Sequence, residues 1–396
     1  MGTAQEHERL VVGPQPTASY GPRPAARHRR WHNGPVICPH FGTCGGCTSQ
    51  DVPYPQQLEG KRLELARLLR ASLGARMPEV APVIGAPTGA DGMPWGFRHK
   101  AAFVFGSASG NARRLVMGHY AAGSQRVVPV DACPVHSPRA NRLAFALRDH
   151  LARAGVPAAG PRLEGILRHV VIRATADDRE AVVMLVVTRN DPLLRKPLRA
   201  FLASADPPPT GLLVNVHARP GPFMVGERTL RIAGRAAVRE TRPGASFLVS
   251  PTAFFQTNPD AAAMLLDQVL GQAGDPRAGR TVADLYAGSG LFAVPLALRG
   301  DTVLAVEENA QAVRDGEVNA RVNGVPPGRL RFVRARVENA SARLRQVSPP
   351  LVVLDPPRQG CGARVMRMVF REVAPARAVY VSCDPGSLAR ELPAAR

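Results

Sequence analysis

The thiol with the most suggestive position is Cys383, which closes the run Val379-Tyr380-Val381-Ser382-Cys383-Asp384-Pro385. Parallel doubly wound sheets bind ligands at the carboxyl ends of their strands, so a cysteine ending such a strand is placed to act as a nucleophile. An ordinary buried thiol is the other reading of an isolated strand cysteine. A second signal is the run Thr281-Val282-Ala283-Asp284-Leu285-Tyr286-Ala287-Gly288-Ser289-Gly290, an apolar strand breaking into a glycine turn before an apolar helix over Leu291 to Leu298. Glycines there let backbone approach a ligand, and the helix start offers free N–H groups. Glu307 ends the next apolar run, at the distance of about 20 residues where a carboxylate can accept both hydroxyls of a ribose. On these two strands alone, a dinucleotide oxidoreductase fits equally well. A third group is Cys38-x5-Cys44-Gly45-Gly46-Cys47 with Cys133: four thiolates can hold tetrahedral zinc or an iron–sulfur cluster, and spacing alone does not decide between them. Cys361 has no evident partner and reads as incidental.

The elements that must hold these residues change character along the chain. Residues 1–37 mix Pro, Gly, Arg and His without periodicity, include Arg23, Arg27, Arg29 and Arg30, and read as a flexible basic tail. The segment 38–95 holds three of the cysteines and then a helix over Gln56 to Leu73, with Leu58, Leu65, Leu68 and Leu69 at helical spacing. From 96 to 249 the pattern is short β-rich runs such as Ala101 to Phe105, Val170 to Arg173 and Ala181 to Val187. Helices over Arg139 to Ala154 and Leu193 to Leu202 interrupt them, so an α+β domain is predicted. From 250 to 396 strand and helix alternate. A helix near Ala261 to Leu270 precedes strands at Val282 to Leu285, Val303 to Glu307, Leu330 to Val333, Leu351 to Leu354 and Ala378 to Val381, which predicts a parallel, doubly wound α/β sheet.

Lys and Arg number 51 against 31 Asp and Glu, a formal net charge of +20, which favours a polyanionic partner. The other reading is that a composition rich in Ala, Arg, Gly and Pro is by itself the whole cause of that charge. With 396 residues, two or three domains are expected. No apolar stretch reaches the roughly 20 residues of a membrane span, and no signal-peptide core is present. A cytoplasmic protein is therefore predicted, whose cysteines serve metal binding or catalysis rather than disulfides.

The fourth strand ends Leu354-Asp355-Pro356-Pro357-Arg358, which resembles the [DN]-P-P motif of nucleic-acid base methyltransferases. Ser382-Cys383-Asp384-Pro385-Gly386-Ser387-Leu388-Ala389-Arg390 resembles the Ser-Cys-Asn-Pro and Thr-Leu-Ala-Arg signature of the RNA uracil-5 methyltransferase family, and Phe254-Phe255-Gln256-Thr257-Asn258-Pro259 adds a further motif. The resemblance runs from Cys38 to Arg390. It implies a Rossmann-like class I methyltransferase domain, behind an α+β RNA-binding domain with a cluster segment. It also implies S-adenosylmethionine contacts from Gln256, Tyr286, Glu307 and Asp355, a nucleophile at Cys383, and a [4Fe–4S] cluster on Cys38, Cys44, Cys47 and Cys133. Asp384 departs from the usual Asn, and Tyr286-Ala287 from the commoner Phe-Cys. Family members carrying cluster cysteines modify 23S ribosomal RNA. The short amino-terminal tail, without room for the extra RNA-binding β-barrel (TRAM) domain, points to the same branch, with transfer RNA as the alternative substrate and a monomer expected. Relatives continue beyond the nucleophile to a carboxylate base that has no counterpart before Arg396, so a C-terminally shortened domain and a non-catalytic RNA-binding protein are also expectations.

Overall fold

Two sheets built on opposite rules divide the chain. The computed structural model describes residues 38–395 apart from 109–110, 221–223, 243 and 277–278, so the basic tail expected over 1–37 lies outside the described residues. Helix α1 (Tyr54–Leu73) opens with Pro53 and Pro55 around its start, and buries Leu65, Leu69 and Leu73. Seven strands follow: β1 (Lys100–Ala108), β2 (Asn111–Tyr120), β3 (Val127–Pro129), β4 (Leu167–Ala174), β5 (Ala181–Val187), β6 (Gly211–Val216) and β7 (Arg228–Gly234). They align as β3-β2-β1-β4-β5-β6-β7, antiparallel except where β5 runs parallel to β6. Helices α2 (Pro138–Arg153) and α3 (Arg195–Ser204) cover one face. Ser137 starts α2 by accepting the Ala140 N–H, with Pro138 in the first turn, where its missing N–H is harmless.

A hairpin of β8 (Val238–Arg242) and β9 (Ala245–Val249) leads into the second unit. There α4 (Pro259–Gln272), capped by Asn258, precedes five parallel strands: β10 (Thr281–Leu285), β11 (Thr302–Glu307), β12 (Leu330–Arg334), β13 (Leu351–Leu354) and β14 (Arg377–Tyr380). Helices α5 (Ala293–Leu298), α6 (Ala310–Val322), α7 (Ser341–Val347) and α8 (Gly362–Arg367) connect them, and α9 (Pro385–Glu391) follows the last strand. The order β12-β11-β10-β13-β14 means the chain builds outward on one side of β10 and then crosses to the other. That reversal leaves a crevice between the carboxyl ends of β10 and β13.

Strand β5 explains how the two units are joined. Its seven residues are all buried: Val183, Leu185 and Val187 face α2 and α3, while Val182, Met184 and Val186 enter the core that holds Val282, Leu291 and Val353. Alternating side chains of one strand therefore serve two cores, each contributing roughly 1.5–3 kcal/mol by burial. Helix α1 docks on the far side of the parallel sheet, in the core of Leu354, Met366 and Leu392.

Candidate active site and cysteine cavity

The glycine turn after β10 is shaped for a ligand. Tyr286, Gly288 and Gly290 have φ of +63°, +54° and +90°, a left-handed path that a tyrosine adopts only at a cost in backbone strain. A Cβ on Gly288 would meet no heavy atom within 4 Å, so open space lies before the turn, whereas one on Gly290 would press on Val294 at 3.0 Å. Glu307 accepts the Gly288 N–H at 3.0 Å and the Asn309 N–H at 2.7 Å, which fixes its carboxylate against the turn. Asp284 is fully buried, its carboxyl near the Ala293 amide at the start of α5. Burial, then the neighbouring Asp355, raise its pKa well above the usual range against a lowering by the Ala293 amide, and Glu307 adds to the rise.

Asp355 stands across the crevice, its N–H bonded to Leu285 O at 3.2 Å. Burial pushes its carboxyl up to about 7, so Asp355 passes from neutral acid to anion through the neutral range. Glu307 and Asp355 thus put two carboxyl groups about the crevice, an arrangement suited to a cationic ligand. If the ligand is the sulfonium S-adenosylmethionine, its affinity is expected to rise by up to about tenfold between pH 6 and 8, the ratio of ionised fractions for a group titrating near 7. Asp355→Asn should hold affinity at the weak end and abolish the dependence. Calorimetry across that range is the check, and an equal slope in the variant would contradict the role.

Cys383 lies one strand further, half-buried just past the end of β14, where Val381 N–H donates to Leu354 O at 2.7 Å. Burial raises its thiol, Arg358 opposes that rise, and Asp355 adds to it. The nucleophile candidate therefore feels a guanidinium that favours its thiolate and a carboxyl that opposes it. Asp384 keeps the capping role an asparagine would have: its Oδ1 accepts the Ser387 N–H at 2.6 Å at the start of α9. Ser387 Oγ donates to Arg358 O at 2.7 Å, tying the cysteine strand to the Asp355–Arg358 loop. Gln256 is half-buried in a loop braced from the seven-stranded sheet: the Arg173 guanidinium donates to the carbonyls of Ala253, Phe255 and Gln256, and Lys100 to that of Ala253. Phe255 is buried in the same core as Ala287, Leu291 and Val381.

Cys361 is not incidental. It is buried beside the hydroxyls of Tyr286 and Tyr380, and burial pushes its thiol up to about 12. Glu391 accepts Tyr380 O–H at 2.6 Å and the N–H groups of Cys361 and Gly362 at 3.0 and 2.7 Å. A cysteine set between two tyrosines that lie far apart along the chain leaves no local periodicity, so sequence could not reveal this network.

Cys38, Cys44, Cys47 and Cys133 line one cavity of about 100 Å³, together with His40, Arg98, His119 and His136. The loop is held by Gly45 N–H donating to Tyr120 O at 2.9 Å and by pairing of Cys44 with Ala121. Burial raises the thiols of Cys44 and Cys47, and raises Cys133 to about 11, with the neighbouring thiols adding to each rise. A metal bound here would have to displace the thiol protons, so its affinity for the cavity would fall as pH falls.

Comparison with known proteins places this geometry. The Methyltransferase small domain family matches residues 244–381. An uncharacterised RNA methyltransferase of Gloeobacter violaceus is 34% identical over 363 residues, covering 91% of this chain and 76% of the relative. An uncharacterised RNA methyltransferase of Geobacter sulfurreducens is 31% identical over 361 residues, covering 90% and 70%. Among solved structures, the Pyrococcus abyssi tRNA (uracil-54, C5)-methyltransferase in complex with S-adenosyl-L-homocysteine superposes with a TM-score of 0.72 at 26% identity, covering 88% of this chain and 79% of that one.

Proposed function

Because the chain belongs to the RNA methyltransferase family, we propose that it methylates carbon 5 of a uridine in 23S ribosomal RNA through a covalent adduct at Cys383. The observation that carries this reading is the placement of a half-buried thiol one strand from a carboxyl-lined crevice, next to a guanidinium. Carbon 5 of uracil is too weak a nucleophile to take a methyl group unaided. Addition of the Cys383 thiolate to carbon 6 moves electron density to carbon 5 and leaves it enolate-like. The uridine must leave its stack to reach the thiol, and the net positive chain holds the flanking phosphates.

When bound, S-adenosylmethionine supplies the electrophilic methyl group. Glu307 would accept its ribose hydroxyls, the Tyr286–Gly290 turn and Gln256 would line its cleft, and Asp355 would face its charge. Arg358 holds positive charge beside Cys383 and so favours the thiolate that adds to the base. Loss of the carbon 5 proton to water then restores the 5,6 double bond as the carbon 6–sulfur bond breaks and the Cys383 thiolate leaves; Glu391 is engaged elsewhere, its two carboxylate oxygens accepting three hydrogen bonds. Transfer RNA is the competing substrate, since the Pyrococcus abyssi neighbour acts on tRNA. Mapping 5-methyluridine in ribosomal and transfer RNA from cells with and without the gene separates the two: loss of one 23S site supports this assignment, and loss of a tRNA site overturns it.

The four cysteines fit a [4Fe–4S] cluster, because all four thiols line one cavity and each is free of any disulfide. When bound, the cluster supplies a thiolate-ligated core joining the 38–47 loop to the segment after β3. Anaerobically purified or reconstituted chain is expected to carry about four iron and four sulfide, and each single Cys→Ser change should lower that content. Zinc in place of iron in anaerobic material would contradict the assignment.

A further inference from the structure

The cysteine cavity contains two donors that four thiolates leave unused. His119 Nε2 and His136 Nδ1 are buried and have no hydrogen-bond partner among the described residues; His136 is only 4% exposed. A buried nitrogen left without a partner carries an uncompensated desolvation cost, so two such atoms lining one cavity point to a ligand. The rings are held in place. Phe103 stacks on His119 at 5.0 Å and meets His136 edge-on at 4.8 Å, and the two imidazoles are 5.3 Å apart.

The third donor is Cys133, and its backbone is fixed just as firmly. Asn141 Oδ1 accepts the Cys133 N–H at 3.0 Å, its Nδ2 donates to the carbonyls of Cys133 and His136, and His136 N–H donates to Cys133 O at 3.1 Å. The ligand atoms of His119, Cys133 and His136 all lie within 4.8 Å of one another. Zinc bonds of about 2.0–2.3 Å put tetrahedral ligand atoms roughly 3.3–3.8 Å apart, so closure onto one ion needs side-chain shifts of up to about 1.5 Å. Two imidazoles and one thiolate form a borderline-soft set of the kind that zinc takes.

We propose that His119, Cys133 and His136 form a mononuclear site for a divalent cation of the zinc class, an alternative to the four-thiolate cluster with which it shares Cys133. Cys47 or a water completes the coordination. Arg98 also lines the cavity, and a second thiolate from Cys47 would offset its charge. Because one sulfur serves both sites, the two occupancies exclude each other. Metal supply during folding then decides which form is made.

The test uses the full chain with Cys38→Ser, Cys44→Ser and Cys47→Ser combined, which removes every cluster ligand except the shared one. Titration with Co2+ under anaerobic conditions is expected to load one equivalent, with a thiolate-to-cobalt charge-transfer band that Zn2+ displaces. His119→Ala or His136→Ala in that background should weaken Co2+ binding at least about tenfold, or about 1.4 kcal/mol. S-adenosylmethionine binding serves as the folding control. Where the triple variant does not fold, Cys38→Ser combined with Cys44→Ser leaves Cys47 as the fourth ligand, and the same histidine changes should weaken Co2+ binding by the same factor. No Co2+ uptake, or unchanged affinity without the histidines, overturns the proposal. Iron and sulfide content of reconstituted wild type tests the cluster separately, so failure of one reading is not mistaken for failure of the other.

Discussion

Cys383→Ala should lower methyl transfer to RNA by at least about 10⁴-fold, on the scale of other nucleophile deletions, while leaving S-adenosylmethionine affinity unchanged. The size follows from the chemistry: without addition at carbon 6, carbon 5 has no carbanion character, and positioning alone cannot create it. The structure adds a pH signature. Burial raises the Cys383 thiol and Arg358 counters it, so at neutral pH the reactive thiolate is the minor form, and the wild-type rate should climb as pH rises. Arg358→Ala removes the opposing charge and should shift that climb to higher pH. Single-turnover methylation across a pH series reads both effects. Residual activity in Cys383→Ala within about tenfold of wild type would show that another group attacks the base.

Glu307→Ala should weaken S-adenosylmethionine binding by about 1–3 kcal/mol, roughly 5- to 150-fold in Kd. Two losses combine. A charged acceptor for the ribose hydroxyls disappears, and so does the carboxylate that takes the Gly288 and Asn309 N–H groups, which shapes the turn before any ligand arrives. Glu307→Gln retains an acceptor and should fall between wild type and alanine. The effect should appear in affinity for the cofactor while the Cys383 adduct with RNA still forms, since thiolate addition does not need the carboxylate. Calorimetry showing unchanged affinity would remove Glu307 from the cofactor cleft.

The parallel sheet was legible because most of its strands are short apolar runs that end at or beside a chemically distinctive residue. Leu285 precedes the glycine turn, Glu307 closes its own strand, Leu354 precedes Asp355, and Tyr380 comes shortly before Cys383. Bounds moved by a residue or two at most in these strands. The helix after the glycine turn starts at Ala293 rather than Leu291, because Gly288 and Gly290 take left-handed turns first. The seven-stranded sheet was harder. Strand β2 carries Arg114, Gly118 and His119, which break the apolar alternation, and β7 is a largely exposed edge. Neither shows the two-sided burial that made β5 obvious. The cysteine motif announced three donors and Cys133 a fourth, but Arg98, His119 and His136 reach the cavity only through the pairing of β1, β2 and the segment after β3. Likewise, Cys361 acquires its place from Tyr286 and Tyr380, which lie on different strands' ends.

Covalent trapping tests the central claim most directly. RNA containing 5-fluorouridine at the target position can accept the Cys383 thiolate at carbon 6 and a methyl group at carbon 5, yet offers no proton there to remove, so the adduct cannot resolve. Incubated with methyl-labelled S-adenosylmethionine and 23S ribosomal RNA fragments made with that base, the chain should yield a labelled protein–RNA band on a denaturing gel, with the attached peptide containing Cys383. The band should vanish in Cys383→Ala. Methylation of ordinary uridine RNA without any such band, or a band that survives loss of Cys383, would contradict the mechanism.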